Sequence, residues 1–466
     1  MPVTAEMAWA DIPTLGAGLR SGQFTAVELC EFFLERLERL GPKLNAVVTI
    51  TAKTALAEAR QADRELAAGK DLGPLHGIPW GAKDLLATSG IPTSWGAAPY
   101  RGQLPEGEAT VVTRLRQAGA VLVAKLAMVE IAGGMGYRQA DASFTGPGLN
   151  PWDTGRWSGG SSSGPGSAVG GGLVPFAIGS ETWGSIMTPA GFCGVTGLRP
   201  TYGRISRHGA MALSWTMDKL GPMCRTAHDC GLVLAAIAGH DPADATSVEL
   251  SYRYPAEETA RRPWKLALLK DGDTSVQPEV QQNFRAAVEV LKESGTFETI
   301  DLPDLPYGTV AATFISCEMA AAFEGLVTSG DCWELTAPED RWGAHAAQMI
   351  PAKDYLNAMR IRPLIQRAMD DVLSKYDAII TPTLATVAYP NNRSFREYRR
   401  GYTSTDIGGA GNGAGIPAIT VPNGFGEGHL PTGIQFVGRA FEENRLLAIA
   451  AEYQRKTAWH TEHPDL

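Results

Sequence analysis

The sequence predicts an α/β fold built as one large domain. Three observations carry this. Hydrophobic residues make up 44% and charged residues 20% of 466 positions, enough apolar material for a large core. Segments with helical periodicity alternate with short β-branched runs along most of the chain. No Pro/Ser-rich linker divides it, although residues 241–262 are polar enough to form an exposed connection. The length exceeds the usual ~100–200 residues per domain, which admits two or three domains or one large α/β unit. No internal repeat is present.

The elements follow in order. Thr25 with Glu28 forms a capping-box signature, opening a helix to about Leu40 that Pro42 ends. Val47–Ile50 is a short strand-like run, and Ala52–Ala68 is rich in Ala, Glu and Arg and reads as a helix. Residues 1–70 thus form a helical lead-in. From Pro74 the texture changes: His76–Lys83 reads as a strand, Thr110–Ala118 as a helix and Val121–Ala127 as a buried strand. Asn150–Gly172 is Gly/Ser-rich and reads as a loop, followed by a short apolar strand at Leu173–Ile178. Strands are expected at Lys265–Leu269, Ala378–Ile380, Ala418–Val421 and Gly433–Val437. Helices are expected at Pro278–Ser294, Tyr355–Tyr376 and Glu443–Thr457.

Composition excludes several function classes. The formal net charge of −9 argues against a nucleic-acid surface, because neutralising phosphates needs a basic face. Six scattered cysteines include no C-x-x-C pair, which fits reduced thiols better than a disulfide framework or a zinc ribbon. Cys193, between Phe192 and Gly194, reads as a small buried hydrophobe. Eight histidines form no H-E-x-x-H or H-x-H pattern, so no metal site is expected. Met1–Leu19 lacks a basic stretch followed by an apolar one, so no signal peptide is expected. The apolar stretches are shorter than the ~20 residues of a membrane span. These points lead to the expectation of a cytoplasmic protein without membrane contact.

Fifty-three glycines are not periodic but cluster between Gly133 and Gly203. Ser158–Ser167 has the composition of a flexible linker. A linker, however, does not lead into an apolar strand and a second Gly/Ser turn, Gly179–Ile186. Two such turns flanking a buried segment suggest backbone that approaches a ligand closely.

The stretch Gly159–Thr201 resembles the amidase signature family. It carries Gly-Gly-Ser-Ser-x-Gly, then Gly-Ser-x-Thr-x-Gly-Ser-Ile, then Pro-Ala-x-Phe-Cys-Gly-Val-x-Gly-Leu-x-Pro-Thr. The resemblance extends upstream to Gly77–Asp84 and downstream to Asn412–Ala418 and Leu430–Gln435, covering roughly residues 25–460, with 77–205 as the catalytic core segment. It implies the amidase signature fold, a central mixed, twisted β-sheet covered by helices on both faces. It also implies a Ser–cisSer–Lys triad with Ser185 as nucleophile, Ser161 as the serine of a cis peptide and Lys83 as base, with Ser162 supporting. The two triad serines stand 24 positions apart, as in the family. The backbone N–H groups of Thr182, Trp183, Gly184 and Ser185 would form the oxyanion hole.

Elementary chemistry agrees with these roles. A serine hydroxyl is a poor nucleophile until a base takes its proton. At an ordinary lysine pKa only about one molecule in 2,500 is neutral at pH 7, and burial raises that fraction. Fixed donors aimed at a developing oxyanion supply a large part of catalysis. The expected reaction is acyl transfer through an ester on Ser185. The expected substrate is a small neutral, hydrophobic or aryl amide or carbamate, with esters as side substrates. No cofactor or metal is implied, and the chain is expected to be a monomer or homodimer.

Two other enzymatic readings stand beside this one. Gly160–Gly164 fits G-x-S-x-G, which would make Ser162 the nucleophile of an α/β-hydrolase-type esterase, with a later histidine such as His345 or His429. That elbow must follow a strand, and Pro151–Arg156 is turn chemistry instead. Pro200–Gly209 resembles the A subunit of the glutamyl-tRNA(Gln) amidotransferase, a glutaminase that works with partner subunits. Against it, the family's usual Asp-Thr-Gly-Gly-Ser-Ile-Arg reads Glu181-Thr182-Trp183-Gly184-Ser185-Ile186-Met187 here. A third, non-enzymatic reading, a binding protein on the same fold, would not need the three triad positions that the chain retains. The loop Glu130–Met135 is implied to border the acyl site, with Gly133, Gly134 and Met135 as substrate-binding positions. Many members carry Met where Gly133 stands, and together with Met187 and Trp183 this change favours bulky neutral groups over carboxylate-bearing ones.

Overall fold

Eleven strands form one sheet in the computed structural model, which describes residues 3–255 and 263–466. The strands are β1 (Val47–Ile50), β2 (Pro79–Lys83), β3 (Val121–Leu126), β4 (Phe176–Glu181), β5 (Thr196–Arg199), β6 (Lys219–Cys224), β7 (Trp264–Leu269), β8 (Gly295–Ile300), β9 (Ala378–Pro382), β10 (Ala418–Gly426) and β11 (Leu430–Val437). Their order across the sheet is β1-β3-β2-β4-β6-β5-β10-β11-β9-β7-β8. β2 runs parallel to both β3 and β4, and β7 parallel to β8 and β9. The other neighbours are antiparallel, so the sheet is mixed. The inner strands are buried along nearly their whole length, except β7 beside the edge, which is half buried. The two edge strands, β1 and β8, are half exposed, as edge positions require.

The flanking helices are α1 (Ile12–Arg20), α2 (Ala26–Leu44), α3 (Ala52–Ala67), α4 (Thr110–Gln117), α5 (Ser163–Gly170), α6 (Met187–Cys193), α7 (Ala227–Ile237), α8 (Pro278–Lys292), α9 (Tyr307–Ala322), α10 (Glu324–Thr328), α11 (Pro338–Ala347), α12 (Ala352–Leu373), α13 (Phe395–Tyr398), α14 (Ile407–Ala414) and α15 (Glu443–Lys456). The Thr25 capping box is present. The Glu28 amide donates to Thr25 Oγ1 at 3.0 Å, and the Thr25 amide donates to Glu28 Oε2 at 2.7 Å. Pro42 does not end the helix as expected. α2 runs through it to Leu44 and stops at Asn45, whose φ of +47° supplies the left-handed terminal residue.

Asn150–Gly172 is not all loop. Its second half is α5, every residue of which is buried. The segment lacks apolar periodicity because glycine serves close packing here. A methyl group on Gly164 would stand 2.6 Å from the carbonyl oxygens of both Ala46 and Ala127. The strand expected at Leu173–Ile178 begins later, at Phe176, and continues through Glu181, so the first three residues of the second Gly/Ser turn are strand.

The 241–262 connection is partly buried rather than exposed: Asp241 accepts hydrogen bonds at 2.5 Å from both Thr110 Oγ1 and Ser206 Oγ. Residues 256–262 of that connection, and Met1 and Pro2 of the lead-in and of the stretch read for a signal peptide, lie outside the described residues. Among the described residues no helix is long and apolar enough to cross a membrane.

Candidate active site

Two neighbouring strands and the turn before α5 bring the sequence-predicted residues together. β2 ends on Lys83, and its neighbour β4 ends on Glu181, immediately before Thr182–Ser185. The turn before α5 presents Ser161 and Ser162. The Ser162 amide donates to the Ser185 carbonyl at 3.3 Å, joining the two Gly/Ser turns. Gly159, at φ +88°, and Gly184, at φ +84°, hold left-handed conformations in these turns. A side chain on Gly159 would also meet the Pro189 backbone at 2.7 Å. The Gly160–Ser161 peptide bond, for which the resemblance implies a cis form, is cis.

Lys83 is fully buried, and its ammonium nitrogen reaches three serine hydroxyls: Ser161 at 2.7 Å, Ser180 at 2.8 Å and Ser162 at 3.0 Å. Burial pushes its pKa down to about 7, against the pull of the Asp218 and Glu181 carboxylates. Ser162 Oγ in turn donates to the Ser180 carbonyl at 3.1 Å and accepts the Ser180 amide at 3.2 Å. With Lys83 as a third partner and no exposure, this hydroxyl has no access to a substrate. No strand leads directly into Ser162, the nearest upstream one, β3, ending at Leu126. His429 stacks on Phe425, and His345 packs against Trp333 and Cys332, so neither histidine serves it. The elbow geometry is therefore absent.

Below the 182–185 turn lies a buried charge network that sequence reading missed in large part. Glu181 Oε2 accepts the Ile186 and Met187 amides at 2.9 and 3.1 Å, and Oε1 pairs with Arg199 Nη1 at 2.9 Å. Burial raises this carboxyl, but Arg199, Lys219 and the Ile186 amide outweigh it and hold the pKa at about 2. Asp218 accepts Thr182 Oγ1 at 2.6 Å and the Leu213 and Ser214 amides at 2.8 and 2.9 Å. Lys219 donates to Asn412 Oδ1 at 2.8 Å. The one signal for Ser180 was valence: a lysine has three donors, and Ser161 and Ser162 satisfy two. Asp218 and Lys219 lie on or beside β6, and nothing local in the sequence places them next to Thr182.

Among the described residues, none accepts a hydrogen bond from the main-chain N–H groups of Trp183, Gly184 or Ser185. Ser185 itself is 8% exposed. A cavity of about 900 Å³ is lined by its chain neighbours Trp183, Gly184, Met187 and Thr188, though not by Ser185 itself. Trp183 is 40% exposed and Met187 4%, and both face this space.

The 130–135 loop departs from expectation. Ala132 lines a second cavity of about 330 Å³ together with Ser180, Thr182 and Asp218. Gly133, Gly134 and Met135 line neither cavity. A side chain on Gly133 would run into the Tyr137 ring, and one on Gly134 into Leu213. These glycines make room for neighbouring side chains, and Met135 is buried in the core. Cys193 is buried, with burial pushing its thiol well above the ordinary range, as a packing residue requires. Among the described residues no three His, Cys, Asp or Glu side chains group in a way that could hold a metal ion.

The chain is similar to known proteins over nearly its full length. The family model described as Amidase matches residues 28–447. The A subunit of the glutamyl-tRNA(Gln) amidotransferase of Chloroflexus aggregans is 38% identical, with 99% of each chain covered. The structure of the peptide amidase from Stenotrophomonas maltophilia superposes with a TM-score of 0.83 at 29% identity, covering 96% of this chain and 97% of that one. A bacterial aryl acylamidase shares the fold, with a TM-score of 0.86 at 23% identity over 97% of each chain.

Proposed function

This chain belongs to the amidase family of enzymes acting on carbon–nitrogen bonds, and from that premise we propose that it is a serine amidohydrolase for small neutral, hydrophobic or aryl amides or carbamates. The observation that carries the mechanism is a buried lysine held by three serine hydroxyls, with its pKa brought to about 7. Neutral Lys83 takes the proton of Ser161, and Ser161 takes that of Ser185, whose Oγ attacks the carbonyl carbon. The carbonyl electrons move onto oxygen, where the N–H groups of Trp183, Gly184 and Ser185 receive the charge, with Thr182 completing the turn. The relay then runs backwards and protonates the leaving amine as the C–N bond breaks. Water repeats the cycle on the acyl-enzyme. Ser162 and Ser180 hold Lys83 in place, and no cofactor or metal takes part.

Met187 and Trp183 support the substrate class. They present an apolar thioether and an indole to the cavity lined by the chain neighbours of Ser185, where a cation and a glycine stand in the pattern usual for the family. A second reading, a glutaminase working with partner chains, is favoured by the 38% identity to the amidotransferase chain and by Arg396, Arg399 and Arg400 on the outer rim of the same cavity. The deciding measurement compares kcat/KM for an anilide or aryl carbamate with that for glutamine, on the chain expressed alone. The expected preference is for the aryl substrate, and Met187→Arg shifts the ratio toward carboxylate-bearing amides. A preference for glutamine, or co-purification with two partner proteins, would favour the second reading. For the relay, Lys83→Ala and Ser161→Ala are expected to be non-additive, since groups acting as a unit are lost together.

A further inference from the structure

The loop that precedes the second cavity is tied to α11 by two carboxyl groups, neither of which has an ion-pair partner among the described residues. Glu130 and Asp340 are both fully buried. Glu130 caps the start of α11, its Oε2 and Oε1 accepting the Thr336 and Ala337 amides, each at 2.8 Å. One turn further along α11, Asp340 faces the same carboxylate; neither of its oxygens has a partner of full hydrogen-bond geometry, the Tyr137 amide of the loop being a donor turned toward it. Two buried carboxylates cannot both stay ionised in contact without a cation, whereas one proton turns the repulsion into a charge-assisted hydrogen bond. The contact is close elsewhere too, since a side chain on Gly343 of α11 would collide with the Met135 carbonyl.

The loop so held is strained, and it touches the site. Ile131, Ala132 and Gly133 occupy left-handed conformations in succession, at φ +42°, +60° and +77°. Immediately before them, the Val129 amide donates to the Ser161 carbonyl at 3.1 Å. Ala132 lines the cavity that also contains Ser180, Thr182 and Asp218. We propose that Glu130 and Asp340 share one proton and thereby act as a clamp, a pair of positioning residues that holds the 129–137 segment on α11 and sets the place of Ser161. This rests on the assignment of Ser161 to the relay given above.

The other charged and titratable groups around the pair do not supply the missing cation. Glu339 on α11 adds negative charge, and Tyr137 faces Asp340 from the loop. Arg399 stands beyond Tyr137 and Tyr389. Burial, followed by the Glu130 charge and hydrogen bond, raises the Asp340 carboxyl well above its ordinary value. A raised acid stabilises the folded clamp fully below the ordinary carboxylate pKa, and that contribution is lost as pH rises through the raised value.

The test uses the full chain with Asp340→Asn, which donates to Glu130 but cannot lose its proton, and Asp340→Ala, which cannot donate. Two readouts are taken: amide hydrogen-exchange protection of residues 130–142, and the rate at which a fluorophosphonate labels Ser185. Asp340→Asn is expected to match the wild type in both at neutral pH. Asp340→Ala is expected to lose about tenfold in each, the size of one hydrogen bond to a charged group. As pH rises, wild-type protection should fall relative to that of Asp340→Asn. A loosened Asp340→Asn, an unaffected Asp340→Ala, or wild-type protection that rises relative to Asp340→Asn would overturn the clamp. So would a labelling rate that ignores a measured loosening. A wild type that takes no label sinks the serine assignment instead, and the exchange arm then decides the clamp alone. If Asp340→Asn does not fold, Glu130→Gln removes the charge on the other member and enters the same two measurements.

Discussion

Lys83 shows what the proposed base costs the fold. Its folded pKa of about 7 lies below the ordinary 10.5, so the folded state resists a proton that the unfolded chain accepts. Stability is therefore complete above the ordinary value and is lost as pH falls toward 7. Lys83→Met removes both the base and this cost. It should lower kcat by at least ~10²–10⁴-fold while raising the melting temperature, and the stabilisation should be larger at pH 7 than at pH 10. Thermal unfolding at the two pH values measures the second effect. In the wild type kcat/KM should climb from pH 6 through pH 8 as Lys83 loses its proton. A rate that falls across that range in folded enzyme would exclude a lysine base. At this scale the sequence was most legible, because Lys83, Ser161, Ser162 and Ser185 sit inside motifs whose order and spacing are specific. Ser180, Asp218 and Lys219 were not legible, because a lone serine or a Lys-Asp pair in a strand carries no pattern of its own.

Among the elements, α5 is the instructive one. Its composition reads as linker, yet its glycines let a helix lie against two backbone segments at once. Gly164→Ala would force a methyl group against the backbone of Ala46 and Ala127, which cannot swing aside as a side chain could. The expected loss is about 1–3 kcal/mol or more, read by chemical denaturation, with activity falling alongside because α5 begins next to Ser161 and Ser162. An unchanged midpoint would show that this packing is looser than its geometry implies. The same physics explains why Asn150–Gly172 was read as loop: sequence periodicity detects apolar faces, and a helix packed through glycine has none. α2 errs the other way. A proline in the last turn forfeits one hydrogen bond, and Asn45 closes the helix three residues later.

For the whole molecule, the sheet order decides what can meet. β2, β4 and β6 are neighbours although 140 residues separate Pro79 from Lys219, and this adjacency sets Lys83, Ser180 and Asp218 around one point. Protein groups face the charges there, Glu181 pairing with Arg199 and the Glu181 and Asp218 carboxylates facing Lys219, and the proposed mechanism calls on no ion from outside. Exhaustive chelation should leave the hydrolytic rate within twofold of the untreated enzyme. A loss restored by a divalent cation would refute a metal-independent mechanism.

The sequence by itself determined the α/β class, eight of the eleven strands and six of the fifteen helices among the described residues, the two Gly/Ser turns and the residues proposed for the relay. These are local matters of periodicity, capping and motif spacing. Only the tertiary structure decided that Lys83 is dry enough to be neutral near pH 7, that Ser162 is sealed off from substrate, and that Ala132 rather than Gly133 faces a cavity. It also decided that Glu130 meets Asp340. Each of these depends on burial and on contacts between segments far apart in the chain, and desolvation is a property of the packed surroundings that no residue carries alone.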